Sequence, residues 1–234
     1  MKPFFTFYGG KWRAAPHYSA PTNATIIEPF AGAAGYSVRY PEHKVILIEK
    51  DPIIASLWRY LIQAKASDIR ALPLIESGQT VDDLQVCSEA KSLIGFWLNK
   101  GAASPCKSPS TWMRKGTRTK SFWGEVIRER VASQVAFISH WTVIEGDYSQ
   151  APDLEATWFI DPPYAEAGRL YRHSSKNIDY VALGNWCKTR KGQVIVCENE
   201  GATWLPFRFF MATKSTPGSR GKAKSQEVIW TNEG

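Results

Sequence analysis

The stretch from Thr25 to Leu61 limits what this chain can fold into more than any other. Thr25-Ile26-Ile27-Glu28 is a short apolar run that closes on an acid, and Val45-Ile46-Leu47-Ile48 is a second that closes on Glu49-Lys50-Asp51-Pro52. Runs of this length without polar alternation read as buried strands. Between them Pro29-Phe30-Ala31-Gly32-Ala33-Ala34-Gly35-Tyr36 is a small-residue loop able to open a helix, and a helical pattern follows Pro52 through Trp58 and Leu61. Strand, glycine loop, helix, strand, acid is the order of a doubly wound α/β sheet, in which an acid at the second strand tip hydrogen-bonds ribose hydroxyls. Glu49, 17 residues beyond Gly32, is the candidate for that role. The GxGxxG fingerprint is absent, so a nucleoside cofactor without a pyrophosphate fits better.

A further buried strand, Trp158-Phe159-Ile160, delivers Asp161-Pro162-Pro163-Tyr164. Proline cannot donate to a sheet ladder, and residues before proline are biased to extended backbone, so the strand stops there. The tetrapeptide offers two acceptors and a flat aromatic face but no strong donor and no nucleophile, an inventory suited to a planar amino group. If the Asp161 carboxylate and the Pro162 carbonyl accept the two hydrogens of an exocyclic amine, its lone pair is drawn out of the ring, and Tyr164 can stack on the base. The bland alternative is a chance proline-rich turn.

At the start of the chain, Phe4 to Phe7 reads as a short aromatic strand running into Tyr8-Gly9-Gly10-Lys11, either a plain hairpin turn or a place where backbone approaches a ligand. Helical spacing covers 88–100 and 122–141, and the segment 101–121 between them holds Lys107, Arg114, Lys115, Arg118 and Lys120 with no acid. With Trp112 and Trp123 nearby for stacking, it reads as a phosphate-contacting loop. Val143 to Tyr148 brings Asp147 and Tyr148 to another strand tip, where they could bracket a cofactor base. Asp179 to Cys187 reads as a helix with an N-terminal aspartate, and Gln193 to Cys197 as a strand. The tail has strand-like runs at Phe207 to Met211 and Glu227 to Trp230, joined by a second basic loop free of acids, whose Arg220, Lys222 and Lys224 are candidate DNA contacts.

The four cysteines show no CxxC pairing and histidines do not cluster, so neither a disulfide framework nor a metal site is expected. No apolar run has bilayer length, and no signal peptide is read at the start, so a cytoplasmic protein with no membrane partner is expected. A net charge of +7 with 13% aromatic residues fits a polyanionic partner. Whether the chain is a monomer or a weak dimer stays open.

Taken in order, these segments resemble the Dam-type adenine-N6 DNA methyltransferases. The likeness rests on Tyr8 to Lys11, Glu28 to Gly35, Glu49 to Pro52, Phe96-Trp97-Leu98-Asn99, Asp161 to Tyr164 and the closing stretch Arg220 to Asn232, and it spans nearly the whole chain. It implies a Rossmann-like doubly wound methyltransferase sheet with a C-terminal antiparallel hairpin. Residues 1–66 and 141–234 would form the catalytic domain, and 67–140 a small helical DNA-recognition insertion. It implies S-adenosyl-L-methionine as cofactor, held by Tyr8, Gly9, Gly10, Lys11, Glu28, Pro29, Phe30, Ala31, Gly32, Glu49, Lys50, Asp147, Tyr148 and Asp161. Asp161, Pro162, Pro163 and Tyr164 would act on an adenine flipped out of double-stranded DNA. Cytosine-N4 methylation and a non-catalytic nucleic-acid-binding role are the alternatives. Ala34 stands where the family has a second glycine, which an alanine can replace if that backbone angle is not left-handed. The segment between the middle helices, about twenty residues, is shorter than the family's recognition hairpin.

Overall fold

The computed structural model describes residues 1–114, 119–165, 175–213 and 225–232. Its centre is a seven-stranded sheet in the order β3-β2-β1-β4-β5-β7-β6. The strands are β1 (Thr25–Glu28), β2 (Lys44–Glu49), β3 (Thr142–Glu145), β4 (Thr157–Ile160), β5 (Val194–Asn199), β6 (Arg208–Thr213) and β7 (Ser225–Thr231). The first five are mutually parallel, while β7 runs antiparallel to both β5 and β6. This is the doubly wound α/β sheet with a C-terminal antiparallel hairpin that the apolar runs predict.

Alternation explains why both faces must be covered. Ile26, Val45, Leu47, Phe159, Ile195 and Cys197 point into one apolar cluster, and their neighbours Ile27, Ile46, Ile48, Trp158, Ile160, Val194 and Val196 into another. Successive side chains of a strand leave opposite faces, so a continuous apolar run has two interfaces to fill. Helices α1 (Pro52–Gln63), the short α2 (Ala66–Arg70) and α3 (Ser88–Leu98) fill the first, with Trp58, Leu61, Ile69, Phe96 and Trp97 buried. The second is filled by α6 (Tyr180–Lys188) through Leu183 and Cys187. Helix α1 starts where Asp51 accepts from the Ile53 amide at 2.9 Å, with Pro52 in the first turn.

Strand order creates the crevice. The chain passes from β1 outward to β2 and β3, then returns to place β4 on the other side of β1. In sheets of this kind ligands bind at that reversal, outside the carboxyl ends of the strands. Those ends carry Glu28, Glu49, Glu145 and, just beyond β4, Asp161.

Several local expectations are corrected. The Pro29–Tyr36 loop leads not into a helix but into one 3-10 turn, Ser37–Arg39. Pro41 and the start of β2 at Lys44 leave too few residues for more. Phe4 to Phe7 is not a strand: Phe4 and Phe5 are fully buried against Trp58 and Phe96, and the Trp97 indole donates to the Phe4 carbonyl at 2.8 Å. The 122–141 pattern divides into α5 (Glu125–Ala132) and a 3-10 turn, Val135–Ile138. Between α3 and α5 the described residues form a short helix, α4 (Thr111–Arg114), and a 3-10 turn, Thr119–Ser121. Residues 67–140 share the apolar cluster of the first sheet face, through Ile69, Leu93, Ile127 and Val131.

Ala34 is the strained point. Its φ is +47°, in the left-handed region, and its amide donates to the Ala31 carbonyl at 2.6 Å. The premise that this angle is not left-handed is therefore overturned. A left-handed L-residue costs roughly 1–2 kcal/mol that glycine does not pay. Ala34→Gly is expected to leave stability unchanged or raise it by up to about 1 kcal/mol, opposite to the usual Ala→Gly effect. Urea unfolding of the two proteins measures the difference.

Candidate active site

A cavity of about 310 Å³ opens at the strand reversal. Its walls include every residue of the expected cofactor set: Tyr8 to Lys11, Glu28 to Gly32, Glu49, Lys50, Asp147, Tyr148 and Asp161. Of the other residues in the Asp-Pro-Pro-Tyr segment, Pro163 also lines it. Segments far apart in sequence are thus brought to one space by the parallel strands.

Each wall is held by identifiable bonds. The glycine loop is tied down by the Trp58 indole donating to the Gly32 carbonyl at 2.7 Å and by the Ala31 amide donating to Ile48 at 3.1 Å. Gly32 takes φ +46°, with Phe7 directly against it. Gly35 matters for a different reason. A Cβ there would lie 2.6 Å from the Trp12 nitrogen and 2.8 Å from that of Lys11, so only glycine lets the Lys11 turn approach this closely. Phe30 and Tyr148 stack with ring centres 5.5 Å apart at one end of the cavity.

The acids at the rim are constrained differently. Glu49 accepts from the Gly32 amide at 2.8 Å and from the Asp51 amide at 2.9 Å, and burial pushes its pKa up to about 7 against those bonds. Each oxygen keeps a further lone pair for a hydroxyl donor. Glu28, 2% exposed, accepts from the Ser37 amide at 2.7 Å, and burial raises its pKa to about 8. Asp147 caps the turn Tyr148–Gln150 and meets Lys50 at 3.0 Å across the rim.

Asp161 sits at the end of β4 with its side chain one-fifth exposed. Lys11 Nζ stands 2.8 Å from Oδ1, an ion pair at hydrogen-bond distance. Burial lifts the Asp161 pKa to about 6, with Lys11 opposing and Glu227 adding to the rise. Burial works against the Lys11 charge as well, yet Asp161, Tyr164 and Glu227 hold its pKa well above the ordinary lysine value.

Pro162 and Tyr164 are not among the lining residues. The Lys11 ammonium lies 4.6 Å from the Tyr164 ring centre, and the Tyr164 hydroxyl donates to Glu227 at 3.3 Å. The Pro163 carbonyl accepts from the Tyr180 hydroxyl. Asn177, Ile178 and Asp179 also line the cavity, and sequence reasoning missed them because no motif marks the start of α6 as a wall. It also missed Glu227 as part of this cluster.

Among the expected DNA-contacting residues, Lys107, Arg114 and Lys120 are exposed. Lys107 pairs with Asp82 at 2.8 Å, so an acid from outside the loop compensates one of its charges, contrary to the expectation of an unbalanced basic run. Arg114 donates to the Pro109 carbonyl at 2.9 Å. Lys115, Arg118, Arg220, Lys222 and Lys224 lie outside the described residues. Trp123 is corrected: at 4% exposure, with its indole donating to Pro73, it belongs to the core and cannot stack on a base. Among the described residues no helix is long and apolar enough to cross a membrane.

No protein-family model matches the chain. No curated protein matches it either. Slight likenesses exist to solved structures. A conserved hypothetical protein of Streptococcus pyogenes is 10% identical, with TM-score 0.36, over 92% of this chain and 88% of its own. A Haemophilus influenzae protein provisionally named a methylase is 12% identical, with TM-score 0.38, over 94% and 84%. A dimethyladenosine transferase of Plasmodium falciparum is 11% identical, with TM-score 0.34, over 96% of this chain and 61% of its own. At such scores these likenesses decide nothing about activity.

The raised pKa of Glu28 has a sign that can be measured. Folded Glu28 binds its proton up to about pH 8 against 4.5 unfolded, so its contribution to stability is full below pH 4.5 and lost as pH rises through 8. Glu28→Gln keeps the acceptor for Ser37 and removes the titration. The loss of Tm between pH 6 and pH 8.5 is expected to be smaller by several degrees in the variant, read by scanning calorimetry.

Proposed function

We propose that this protein is an S-adenosylmethionine-dependent DNA methyltransferase acting on the exocyclic N6 amino group of adenine. The observation that carries the reading is Asp161: a desolvated carboxylate at a strand end, opening on the same cavity as an acid-tipped β2 and an aromatic pair. The donor set suits a cationic nucleoside. Phe30 and Tyr148 would hold its base, Glu49 its ribose, and the Gly9 to Lys11 turn with Gly32 its amino-acid part. When bound, S-adenosylmethionine supplies a methyl group on a positively charged sulfur.

The chain's own residues do the rest. Asp161 accepts one N–H of the target amine and the Pro162 carbonyl the other, which pulls the nitrogen toward tetrahedral geometry and frees its lone pair. As the nitrogen gains carbon it must lose a proton, and Asp161 is the base in reach. Tyr164, which stands outside the cavity lining beneath Lys11, would turn its ring toward the cavity to hold the base in line. A duplex base cannot reach so enclosed a carboxylate, so the adenine must leave the stack. The exposed Arg114 and Lys120, with the net charge of +7, support a phosphate backbone as partner, and residues 67–140 as the part that meets it.

Labelled-methyl transfer to plasmid DNA, with nucleosides resolved by mass spectrometry, tests the reading. N6-methyladenine is the expected product; N4-methylcytosine, incorporation only into RNA, or no incorporation would overturn it. Asp161→Asn is expected to lower transfer about a thousandfold while calorimetry still detects cofactor binding. In the native protein kcat/KM should fall below about pH 6, where Asp161 takes up a proton. Arg114→Ala should weaken binding to all DNA sequences alike and lower the salt slope by about one.

A further inference from the structure

A second carboxylate adjoins Asp161 through Lys11 without lining the cavity. Glu227, on β7 opposite Asn199 of β5, is 5% exposed. Three donors converge on its Oε1: the Tyr18 hydroxyl, the Tyr164 hydroxyl at 3.3 Å and Lys11 Nζ at 3.8 Å. That same ammonium stands 2.8 Å from Asp161. One buried cation is therefore shared between two carboxylates and held closer to the one that opens on the cavity.

This arrangement poses a problem for the reading of Asp161 as amine acceptor. Lys11 faces the buried Oδ1, so the amine meets the other oxygen; once Asp161 has taken the amine's proton its charge no longer holds Lys11, and a buried ammonium left without a partner is strongly disfavoured. We propose that Glu227 is a positioning residue, the counter-ion that takes the Lys11 ammonium when a substrate amine occupies Asp161. The inference rests on the proposed methyl transfer and adds to it the group that releases the catalytic carboxylate.

The geometry suits that role. A short swing of a lysine side chain carries Nζ from one oxygen to the other, and the receiving oxygen is fixed in advance. The Tyr18 ring that helps hold it stacks on Phe210 at 4.6 Å and meets Phe159 edge-on at 5.0 Å. Tyr164 ties the same oxygen to the Asp-Pro-Pro-Tyr segment. The charged and titratable groups facing Asp161 from the surrounding elements are Lys11, Glu28 of β1, Tyr164, Cys197 and Glu198 of β5, and Glu227 of β7, with Tyr18 beyond. Of these, Lys11 is the cation and Glu227 the acid it touches besides Asp161.

Glu227→Gln removes the charge and keeps an oxygen for both tyrosines. Its kcat for methyl transfer is expected to fall about tenfold or more, with KM for S-adenosylmethionine little changed. The acid limb of kcat/KM should move down by about one pH unit, because the Glu227 charge helps hold the Asp161 proton. Glu227→Asp should return the limb toward its native position. An unmoved limb in Glu227→Gln, with Glu227→Asp no better, would make Glu227 merely structural and overturn the inference while leaving the native activity standing. A native protein that transfers no methyl group would instead remove the functional reading itself. Should Glu227→Gln not fold, carboxyl-¹³C NMR of the native protein at fixed pH serves: adding the substrate DNA is expected to shift the Glu227 carboxyl resonance as Lys11 moves onto it, and an unmoved resonance overturns the proposal.

Discussion

The Lys11 ammonium, shared between Asp161 and Glu227, is the contact on which the site depends. It joins the first turn of the chain to the end of the fourth strand and to β7, three segments far apart in the sequence. A buried ion pair contributes little net stability, because desolvation consumes much of the Coulombic gain, but breaking one side of it is costly. Its effect is therefore on geometry. The Lys11 turn can reach Asp161 only because Gly35 has no Cβ to keep the two backbones apart.

Burial of acids at the strand tips is the second theme. Glu28, Glu49 and Asp161 all have raised pKa values, about 8, 7 and 6, because each gives up water where the parallel strands end. The differences among them follow from their partners. Glu28 has the Ser37 amide and a deep position, Glu49 has the amides of Gly32, Asp51 and Lys50, and Asp161 has a lysine. A site built this way keeps its carboxylates close to the point of changing charge at physiological pH, which is where acceptors and bases are most useful.

The fold was legible wherever one residue type had one environment. Apolar runs at Ile26-Ile27, Val45 to Ile48, Trp158 to Ile160 and Val194 to Val196 read as strands buried on both faces, and they are. Where a residue could serve two environments the reading failed. Phe4 to Phe7 has a strand's composition, but its aromatic rings find α3 and Trp58 rather than a neighbouring strand. Trp123 sits beside a basic run, yet burying its large ring outweighs exposing it. Lys107 belongs to a segment without acids, and its partner Asp82 comes from elsewhere in the chain.

By itself the sequence determined which residues stand at the strand ends, since prolines, glycines and acids terminate apolar runs for local reasons that need no tertiary partner. Glu28, Glu49, Asp147 and Asp161 were marked in this way before any strand was paired. Tertiary structure alone decided that these ends share one cavity, because strand order is set by long-range pairing. It also decided the left-handed angle at Ala34 and the meeting of Lys11, Asp161 and Glu227. The reason is that a charge or a strained backbone angle is settled by what surrounds it in space, and residues 11, 161 and 227 become neighbours only once the sheet has formed.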